Sequence, residues 1–332
     1  MDRRTFARAA FLGMGASLLP RPESVTTALP IAPPPRPVTT IGLIADPHHG
    51  LAPDAAARLD TFMAAVVDRK PDLVMQLGDF CHPPRAVKAA ADFLRAFEGF
   101  RGPRYHVLGN HDLDLARSKR EILDAWGVRE AFYSFDHGGF HFAVLDCNFV
   151  KDAGGAYADW TPGRRYENRV HPAQLDWLKA DLAKTALPTV VVSHQGFGPK
   201  DSGGVVPNGD DVRAVIAAAR RGGKGGSVVL CLHGHNHLDG ATVVEGVHYL
   251  QLNSASYLWV GEEYGRMAPY SEPLFAFLTL DPAGTIRLTG RAGAFRKPSP
   301  ADRGYPNADK VTAGIADRVL RFDPSGSRQS GA

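Results

Sequence analysis

Cysteine is scarce in this 332-residue chain, which contains only Cys81, Cys147 and Cys231. The number is odd and no two of them form a C-x-x-C pair, which argues against a zinc ribbon and against a disulfide framework. Cys147 and Cys231 each lie in an apolar run, so we expect both to be buried thiols.

The chain also lacks a large excess of charge of one sign, and it lacks long hydrophobic runs. The formal net charge is +3, and residues 1–37 account for it, because they hold five arginines against two acidic residues. The rest of the chain is neutral and has neither a basic stripe nor a heptad pattern, so no nucleic-acid partner is expected. The composition, with 44% hydrophobic and 22% charged residues, is that of a soluble globular protein.

The first 28 residues have the pattern of an export signal. Arg3 and Arg4 precede an apolar stretch, Ala9–Leu19, that is too short to cross a bilayer. This order resembles a twin-arginine signal, which would make the twin-arginine export machinery a partner. The protein would then be periplasmic or secreted, without a stable membrane anchor; a frayed basic helix is the alternative. Residues 29–37 are rich in proline and predict an extended spacer.

Strands and helices alternate in the first half of the chain, and consecutive strands follow. The hydrophobic pattern predicts helices over 54–69, 84–98, 117–125, 171–184 and 210–220. It predicts a hairpin over 131–147 and strands over 38–46, 72–79, 104–110, 188–194, 226–235, 240–245, 247–253, 273–280 and 284–290. We therefore expect an α/β fold with layered mixed β-sheets, a β-sandwich flanked by helices.

The chain shows no internal repeat and no linker between domains. We therefore expect one domain over residues 38–296. The remaining residues, 297–332, are polar and irregular, and they predict a C-terminal tail with a short helix near 310–320.

Five of the predicted strands end in side chains that bind metals. The clusters at these ends are Asp46-Pro47-His48, Gly78-Asp79, Gly109-Asn110-His111-Asp112, Ser193-His194-Gln195 and Gly234-His235-Asn236-His237. Sites in α/β sheets form beyond the carboxyl ends of the strands, so the five clusters are expected to converge. Each cluster by itself is as well explained by a cap or a turn, and the inference depends on all five together.

The ordered set D-x-H, GD, GNHD, H and GHxH resembles the motifs of the calcineurin-like metallophosphoesterase superfamily, over roughly residues 40–240. The resemblance implies hydrolysis of a phosphate ester, a phosphomonoester or a phosphodiester, by a metal-bridging hydroxide. It also implies a dinuclear metal site at the carboxyl ends of the strands.

The same resemblance implies the metal ligands. One ion would be held by Asp46, His48 and His237, and the other by Asn110, His194 and His235, with Asp79 bridging the two. Two carboxylates against two divalent ions leave the site cationic, which suits a phosphate. A ligand set rich in imidazole favours transition metals, so we expect two divalent or mixed-valence ions of iron, manganese or zinc.

Two residues beside the ligand Asn110 are assigned to catalysis by the resemblance. His111 would donate a proton to the leaving group, and Asp112 would orient it. The stretch after Asp79 is Phe80-Cys81-His82-Pro83, in which Cys81 and His82 are further candidates to line the site. It offers no tyrosine, so a tyrosine-ligated iron of the purple-phosphatase type is disfavoured.

The motifs do not fix the substrate. The segment before the helix at 171–184 contains Trp160, Arg164, Arg165 and Tyr166, and the two arginines are candidate substrate-binding residues, with a solvated loop as the alternative. Monoesters, diesters, cyclic nucleotides and pyrophosphates of small molecules all remain open. A nuclease is one alternative function, and a non-catalytic metal-binding scaffold on the same fold is another.

Overall fold

Two six-stranded β-sheets pack face to face in the computed structural model. The structure describes residues 38–80, 94–115, 118–161, 163–200, 204–222, 227–257, 268–305 and 308–324. The predicted export signal (1–28), the spacer (29–37) and most of the helix predicted for 84–98 lie outside the described residues, as do Cys81 and His82.

The strands and helices are named here in chain order. The strands are β1 (Thr39–Ile44), β2 (Leu73–Gln76), β3 (Arg104–His106), β4 (Tyr133–His137), β5 (Phe140–Val144), β6 (Phe149–Lys151), β7 (Tyr157–Asp159), β8 (Thr189–Val192), β9 (Val228–His233), β10 (Gly240–Val244), β11 (Val247–Gln251), β12 (Ala276–Asp281), β13 (Thr285–Gly290) and β14 (Arg318–Arg321). The helices are α1 (Ala55–Arg69), a 3₁₀ helix (His111–Leu115), α2 (Lys119–Ala125), α3 (Pro172–Leu182) and α4 (Gly209–Gly222).

Both sheets are mixed. The first has the order β14-β13-β12-β1-β2-β3 and the second the order β10-β11-β9-β8-β5-β4, while β6 and β7 form a separate ribbon. Strands β1, β2 and β3 are parallel, and so are β5, β8, β9 and β11. Antiparallel strands border the first parallel set on one side, at β12, and the second on both sides, at β10 and β4. The predicted fold class, an α/β sandwich of mixed sheets with helices, is confirmed.

The main hydrophobic core lies between the two sheets. Leu43 and Met75 of the first sheet are buried in one cluster with Phe142, Val192 and Leu232 of the second. Because side chains of a strand alternate between its faces, the neighbouring residues point outward to the helices. Strands covered on both faces read as continuous apolar runs, which is the pattern that the sequence displays.

Helices cover the outer face of each sheet. Leu59 and Phe62 of α1 pack in one cluster with Val74 of β2. On the second sheet, Leu178 of α3 and Val212 of α4 pack in another. Apolar residues at helical spacing produce this arrangement, because each helix buries one stripe. None of the helices among the described residues combines the length and the apolar character that a membrane crossing needs.

The C-terminal segment differs from the sequence prediction. The short helix expected near 310–320 is wrong, because Arg318–Arg321 forms β14 and pairs antiparallel with β13. Val311, Ala313 and Ile315 are buried in the core between the sheets. An edge strand such as β13 offers unpaired backbone groups, and their pairing with β14 outweighs the local helical pattern.

The two described cysteines follow the prediction. Cys147 and Cys231 are free thiols and are fully buried. Burial raises the pKa of both thiols, which keeps them protonated and unreactive.

Candidate metal centre

The strands deliver the predicted ligands to one edge of the sandwich. Asp46 and His48 follow β1, Asp79 follows β2, and Asn110 follows β3. His194 follows β8 of the second sheet, and His235 and His237 follow β9. The first sheet therefore supplies both carboxylates and the second sheet supplies three of the four imidazoles.

One group of possible ligands consists of Asp46, His48 and His237, all buried, with ligand atoms within 4.8 Å of one another. Nε2 of His48 lies 3.2 Å from Nε2 of His237. Nε2 of His237 lies 3.3 Å from Oδ1 of Asp46. These are the residues predicted for the first ion.

A second group consists of Asp79, His194 and His235, again within 4.8 Å. Nε2 of His194 lies 3.0 Å from Oδ2 of Asp79 and 3.2 Å from Nδ1 of His235. The two histidines match the prediction for the second ion. Asn110, the remaining predicted ligand, is buried in the same loop as His111, whose backbone N–H donates to Oδ1 of Asp79 at 2.8 Å.

The two groups are in contact through Asp79 and His194. Oδ2 of Asp79 lies 3.9 Å from Nε2 of His48 in the first group. Nε2 of His194 lies 3.8 Å from Oδ1 of Asp46. Asp79 therefore lies between the groups, at the position predicted for a carboxylate shared by two ions.

Five of the seven predicted ligands have a left-handed backbone. Their φ angles are 52° at Asp46, 48° at His48, 49° at Asp79, 71° at His235 and 51° at His237. Asp and His adopt this conformation more readily than most residues, yet each instance costs on the order of 1–3 kcal/mol. The surrounding loops must hold this strain, and strain of this kind concentrates at functional sites.

Glycines make room for the ligands. A Cβ at Gly78, where φ is +97°, would lie 2.3 Å from Nδ1 of His194. A Cβ at Gly109 would lie 2.2 Å from both the backbone nitrogen and Oδ1 of Asp79. The glycine that precedes the ligand in each of these motifs is therefore required by close packing.

The carboxylates attract positive charge. Burial alone would lower the pKa of His194, but Asp79 and Asp46 raise it to about 9. Burial works to raise the pKa of Asp79, yet His194 and His111 bring it well below its usual range. Burial and the neighbouring His194 lower the pKa of His235 to about 3, so its imidazole keeps a lone pair for a ligand bond.

The donor set suits transition-metal ions. Imidazoles and carboxylates, buried and 3–4 Å apart, are the ligands that iron, manganese and zinc prefer. Nδ1 of His194 is hydrogen-bonded to the carbonyl oxygen of Leu77 at 2.7 Å, which fixes the tautomer and directs Nε2 into the site. The two groups therefore have both the chemistry and the outer support of a dinuclear centre.

The sequence model of the calcineurin-like phosphoesterase family matches residues 39–239 of the chain, from β1 to the loop after β9. The chain belongs to this family. The matched residues include every predicted metal ligand. With two His/Asp groups in place, the protein is a metal-dependent phosphoesterase and hydrolase.

Known proteins similar to this phosphoesterase include enzymes and an anchor protein. The manganese-dependent ADP-ribose/CDP-alcohol diphosphatase of Arabidopsis thaliana is 26% identical over 226 residues, covering 55% of this chain and 70% of the relative. A dimetal phosphatase from Danio rerio has a TM-score of 0.61 at 15% identity, over 87% of this chain and 100% of that chain. GAP50, the anchor in the inner membrane complex of Plasmodium, has a TM-score of 0.56 at 14% identity, over 86% and 89%. At these identities the two structures show the shared fold alone.

His111 of the phosphoesterase is paired with an acidic residue that the sequence analysis missed. Its Nδ1 lies 2.9 Å from Oδ2 of Asp114. In a 3₁₀ helix the residues i and i+3 lie on the same side, which brings these two together. Burial works to lower the pKa of His111, but Asp79 and Asp114 outweigh it and the pKa is raised.

This pairing corrects the orienting role predicted for Asp112. Asp112 is fully buried, and its Oδ2 accepts hydrogen bonds from the backbone N–H of Gly109 at 2.8 Å and of Asp79 at 2.9 Å. It therefore ties the loop after β3 to the loop after β2. The carboxylate that orients His111 is that of Asp114.

The segment from 152 to 169, called the insert below, borders His111. Arg164 and Arg165 are exposed on it. Tyr166, the next residue, donates a hydrogen bond to Oδ1 of Asp114. The insert also holds β7, which pairs with β6 across a turn at Asp152–Gly155 that the sequence analysis left unassigned. The two glycines of that turn were the signal for this ribbon.

A buried glutamine joins the ligand loops to the insert. Nε2 of Gln195, beside the ligand His194, lies 2.9 Å from Oδ1 of Asn148 and 3.2 Å from Oδ1 of Asn168. The same nitrogen lies 3.4 Å from Oδ1 of Asn110. Its neighbour in the sequence is a predicted metal ligand, but no motif identifies Gln195 itself, since its partners come from separate parts of the chain.

Proposed function

We propose that this phosphoesterase hydrolyses the diphosphate linkage of small nucleoside-diphosphate compounds. The pair of His/Asp groups joined through Asp79 carries the proposal, since these groups would hold two cations beside one phosphate group. The diphosphatase activity named for the Arabidopsis relative supports the choice of a diphosphate over a monoester. Arg164 and Arg165 add cationic groups that suit a second phosphate.

The ligands are proposed to divide into two sets. Asp46, His48 and His237 would bind one ion, and His194, His235 and Asn110 would bind the other, with Asp79 shared. When bound, two transition-metal ions supply the nucleophile at neutral pH and stabilise the negative charge on the phosphoryl group while it is transferred. The manganese dependence of the Arabidopsis relative favours manganese among the three candidate metals.

His111 is proposed to donate from Nε2 to the leaving group: a hydrogen bond to a departing phosphate, which is a weak base, and a full proton to a departing alkoxide. Its Nδ1 is paired with Asp114, so the transferable proton is placed on Nε2. Burial works to lower the pKa of His111, but Asp79 and Asp114 raise it overall, which favours the protonated ring. Asp112 contributes by holding Gly109 and Asp79, and thereby the two loops that flank His111, in register.

Arg164 and Arg165 are proposed to bind the part of the substrate that does not react. Both are exposed and lie directly before Tyr166, which contacts the ring of His111 with 5.5 Å between ring centroids. A guanidinium in this position is able to hold a second phosphate in two hydrogen bonds.

Residues 1–28 are proposed to direct export by the twin-arginine route, so that the mature enzyme acts in the periplasm or outside the cell. The paired arginines and the short apolar stretch of the sequence support this proposal. The route carries folded proteins, which would allow the metal centre to fill before export.

A substrate panel tests the proposed activity. Manganese-loaded protein is assayed with ADP-ribose and a CDP-alcohol as diphosphates, with a nucleoside monophosphate, and with a phosphodiester. We expect the highest kcat/KM for the diphosphates. The Asp46→Asn variant, assayed in parallel, excludes a contaminating phosphatase. A preference of tenfold or more for the monophosphate or the diester would contradict the diphosphate assignment.

A further inference from the structure

The hydroxyl of Tyr166 and the imidazole of His111 are joined by the single carboxylate of Asp114. We propose that Tyr166, acting through Asp114, is a positioning residue for His111, so that the insert takes part in leaving-group protonation. The inference rests on the proposed role of His111 as the proton donor.

Both oxygens of Asp114 are used in this relay. Oδ2 lies 2.9 Å from Nδ1 of His111, and Oδ1 accepts the hydrogen bond from the hydroxyl of Tyr166. The side chains of His111 and Asp114 are 15% and 19% exposed. A carboxylate that is partly solvated and has two protein partners is held in one orientation, and it holds the imidazole in turn.

Tyr166 is itself fixed by the insert. Its ring stacks on the buried ring of Trp160, with 4.9 Å between centroids and 22° between planes. Nε1 of Trp160 donates to the carbonyl oxygen of Arg164 at 2.9 Å, which closes the loop that carries Tyr166. The ring of Tyr166 also meets that of His111 edge-on, at 5.5 Å and 70°. Tyr166 thus contacts both other members of the relay.

The insert is attached to the metal centre at other points. Oδ1 of Asn168 accepts from Nε2 of Gln195, which also reaches Asn110. Asn168 has a left-handed backbone, with φ at 53°. In the middle of the insert, Asp159 forms an ion pair with Lys119, which also binds the buried Asp146. Two segments of the insert are therefore fastened to the body of the enzyme, and this gives Tyr166 a fixed frame from which to act.

The physical effect of the relay is orientational. General-acid help requires Nε2 to lie within hydrogen-bond reach of the departing oxygen, and small displacements from that position are costly. Without the tyrosine hydroxyl, Oδ1 of Asp114 is solvated by water and the carboxylate rotates more freely. The imidazole then spends less time aimed at the leaving group, while the metal ligands keep their places.

The test compares two esters of thymidine 5′-monophosphate that differ in the leaving group. The methyl ester has a leaving group that needs a proton, and the 4-nitrophenyl ester has one that hardly does. The His111→Ala variant shows how large the effect is when the proposed proton donor itself is removed. We expect it to lose about 10²–10⁴-fold in kcat on the methyl ester and much less on the nitrophenyl ester. For Tyr166→Phe we expect a loss of about tenfold on the methyl ester, less than about twofold on the nitrophenyl ester, and full metal content.

Tyr157→Phe is the matched control, since Tyr157 lies in the same insert and packs on the ring of His171 instead. It is expected to match the wild type on both esters. If His111→Ala shows the leaving-group dependence and Tyr166→Phe behaves as the wild type, the relay is wrong and the role of His111 stands. If Tyr166→Phe loses activity equally on both esters, or loses metal, Tyr166 supports the fold and the proposal is overturned. If His111→Ala shows no dependence on the leaving group, the proposed acid role fails first.

Discussion

Nε2 of His194 lies 3.0 Å from Oδ2 of Asp79, and the two residues come from different sheets. Asp79 follows β2 in the first sheet, and His194 follows β8 in the second. The metal centre is therefore assembled by the packing of the sandwich, and its geometry depends on contacts where the two sheets meet. Gly78 is one of those contacts, because it faces the ring of His194.

Gly78→Ala is predicted to damage the metal centre. The new Cβ would lie 2.3 Å from Nδ1 of His194, and φ is +97°. We expect a loss of at least about 2 kcal/mol of unfolding free energy together with reduced metal content. The control is Gly155→Ala, where φ is +83° and nothing lies within 4 Å; it should lose about 1 kcal/mol and keep its metal. Equal metal content in both variants would show that the contact with His194 is unimportant.

The stability of the protein is predicted to fall in acid through His106. Burial and the neighbouring Arg104 lower the pKa of His106 to about 3, so the native state keeps it neutral among the rings of Phe80, Phe97 and Trp126. The unfolded chain binds a proton near pH 6.5. The contribution of His106 is therefore full above pH 6.5 and is lost as the pH falls toward 3.

The His106→Phe variant should lack this pH-dependent contribution to the free energy of unfolding. The unfolding free energy of the wild type, measured by urea titration at pH 7 and pH 4.5, should drop more than that of the variant, by up to about 1.4 kcal/mol per pH unit. Because both proteins carry the same metal centre, acid release of metal cancels in the difference. Parallel pH profiles would mean that His106 is not the buried neutral group described here.

The sequence predicted that the candidate ligands lie together, and it did so for a physical reason. Metal ligands are chemically unusual at the ends of apolar strands, and five such ends in order identify the edge on which Asp46, Asp79 and His194 meet. The packing of α1, α3 and α4 followed equally from apolar spacing.

Other features depend on contacts between distant segments, which local patterns do not encode. In the sequence, nothing distinguishes Asp114 from other acidic residues; the 3₁₀ helix brings it beside His111. Tyr166 likewise belongs to a polar loop in the sequence, and only the fold brings its hydroxyl to Asp114. Gln195 connects three separate loops because its side-chain nitrogen reaches one asparagine in each of them. Strand β14 forms because β13 presents an open edge.

The arginines of the insert are predicted to act in substrate binding. Replacement of Arg164 and Arg165 by Ala should raise KM for ADP-ribose by about two- to fivefold for each arginine, with little change in kcat, since exposed ion pairs contribute up to about 1 kcal/mol. Arg287→Ala with Arg296→Ala, both exposed, is the control with the same change in charge. If the control raises KM as much, the effect is one of overall charge, and a KM unchanged by the insert variant would leave the loop a solvated surface.

Export is predicted to depend on the arginine pair at the start of the chain. Arg3→Lys with Arg4→Lys preserves the charge but removes the guanidinium pair, and we expect the precursor to accumulate in the cytoplasm. Cell fractionation and immunoblotting measure the distribution, with Arg8→Lys as the control. Delivery of the double variant at the wild-type level would refute the twin-arginine route and leave the assignment of the enzyme intact.

The most direct test of the dinuclear account is the metal content and turnover of Asp79→Asn. Asp79 lies between the two groups, with its Oδ2 3.0 Å from Nε2 of His194 and 3.9 Å from Nε2 of His48. The amide removes a charge that both ions share while it keeps the shape of the side chain. We predict fewer than two metal equivalents per chain by elemental analysis, together with a loss of at least about 100-fold in kcat/KM for ADP-ribose. Two full equivalents with near-normal turnover would contradict a shared carboxylate at the centre of the site.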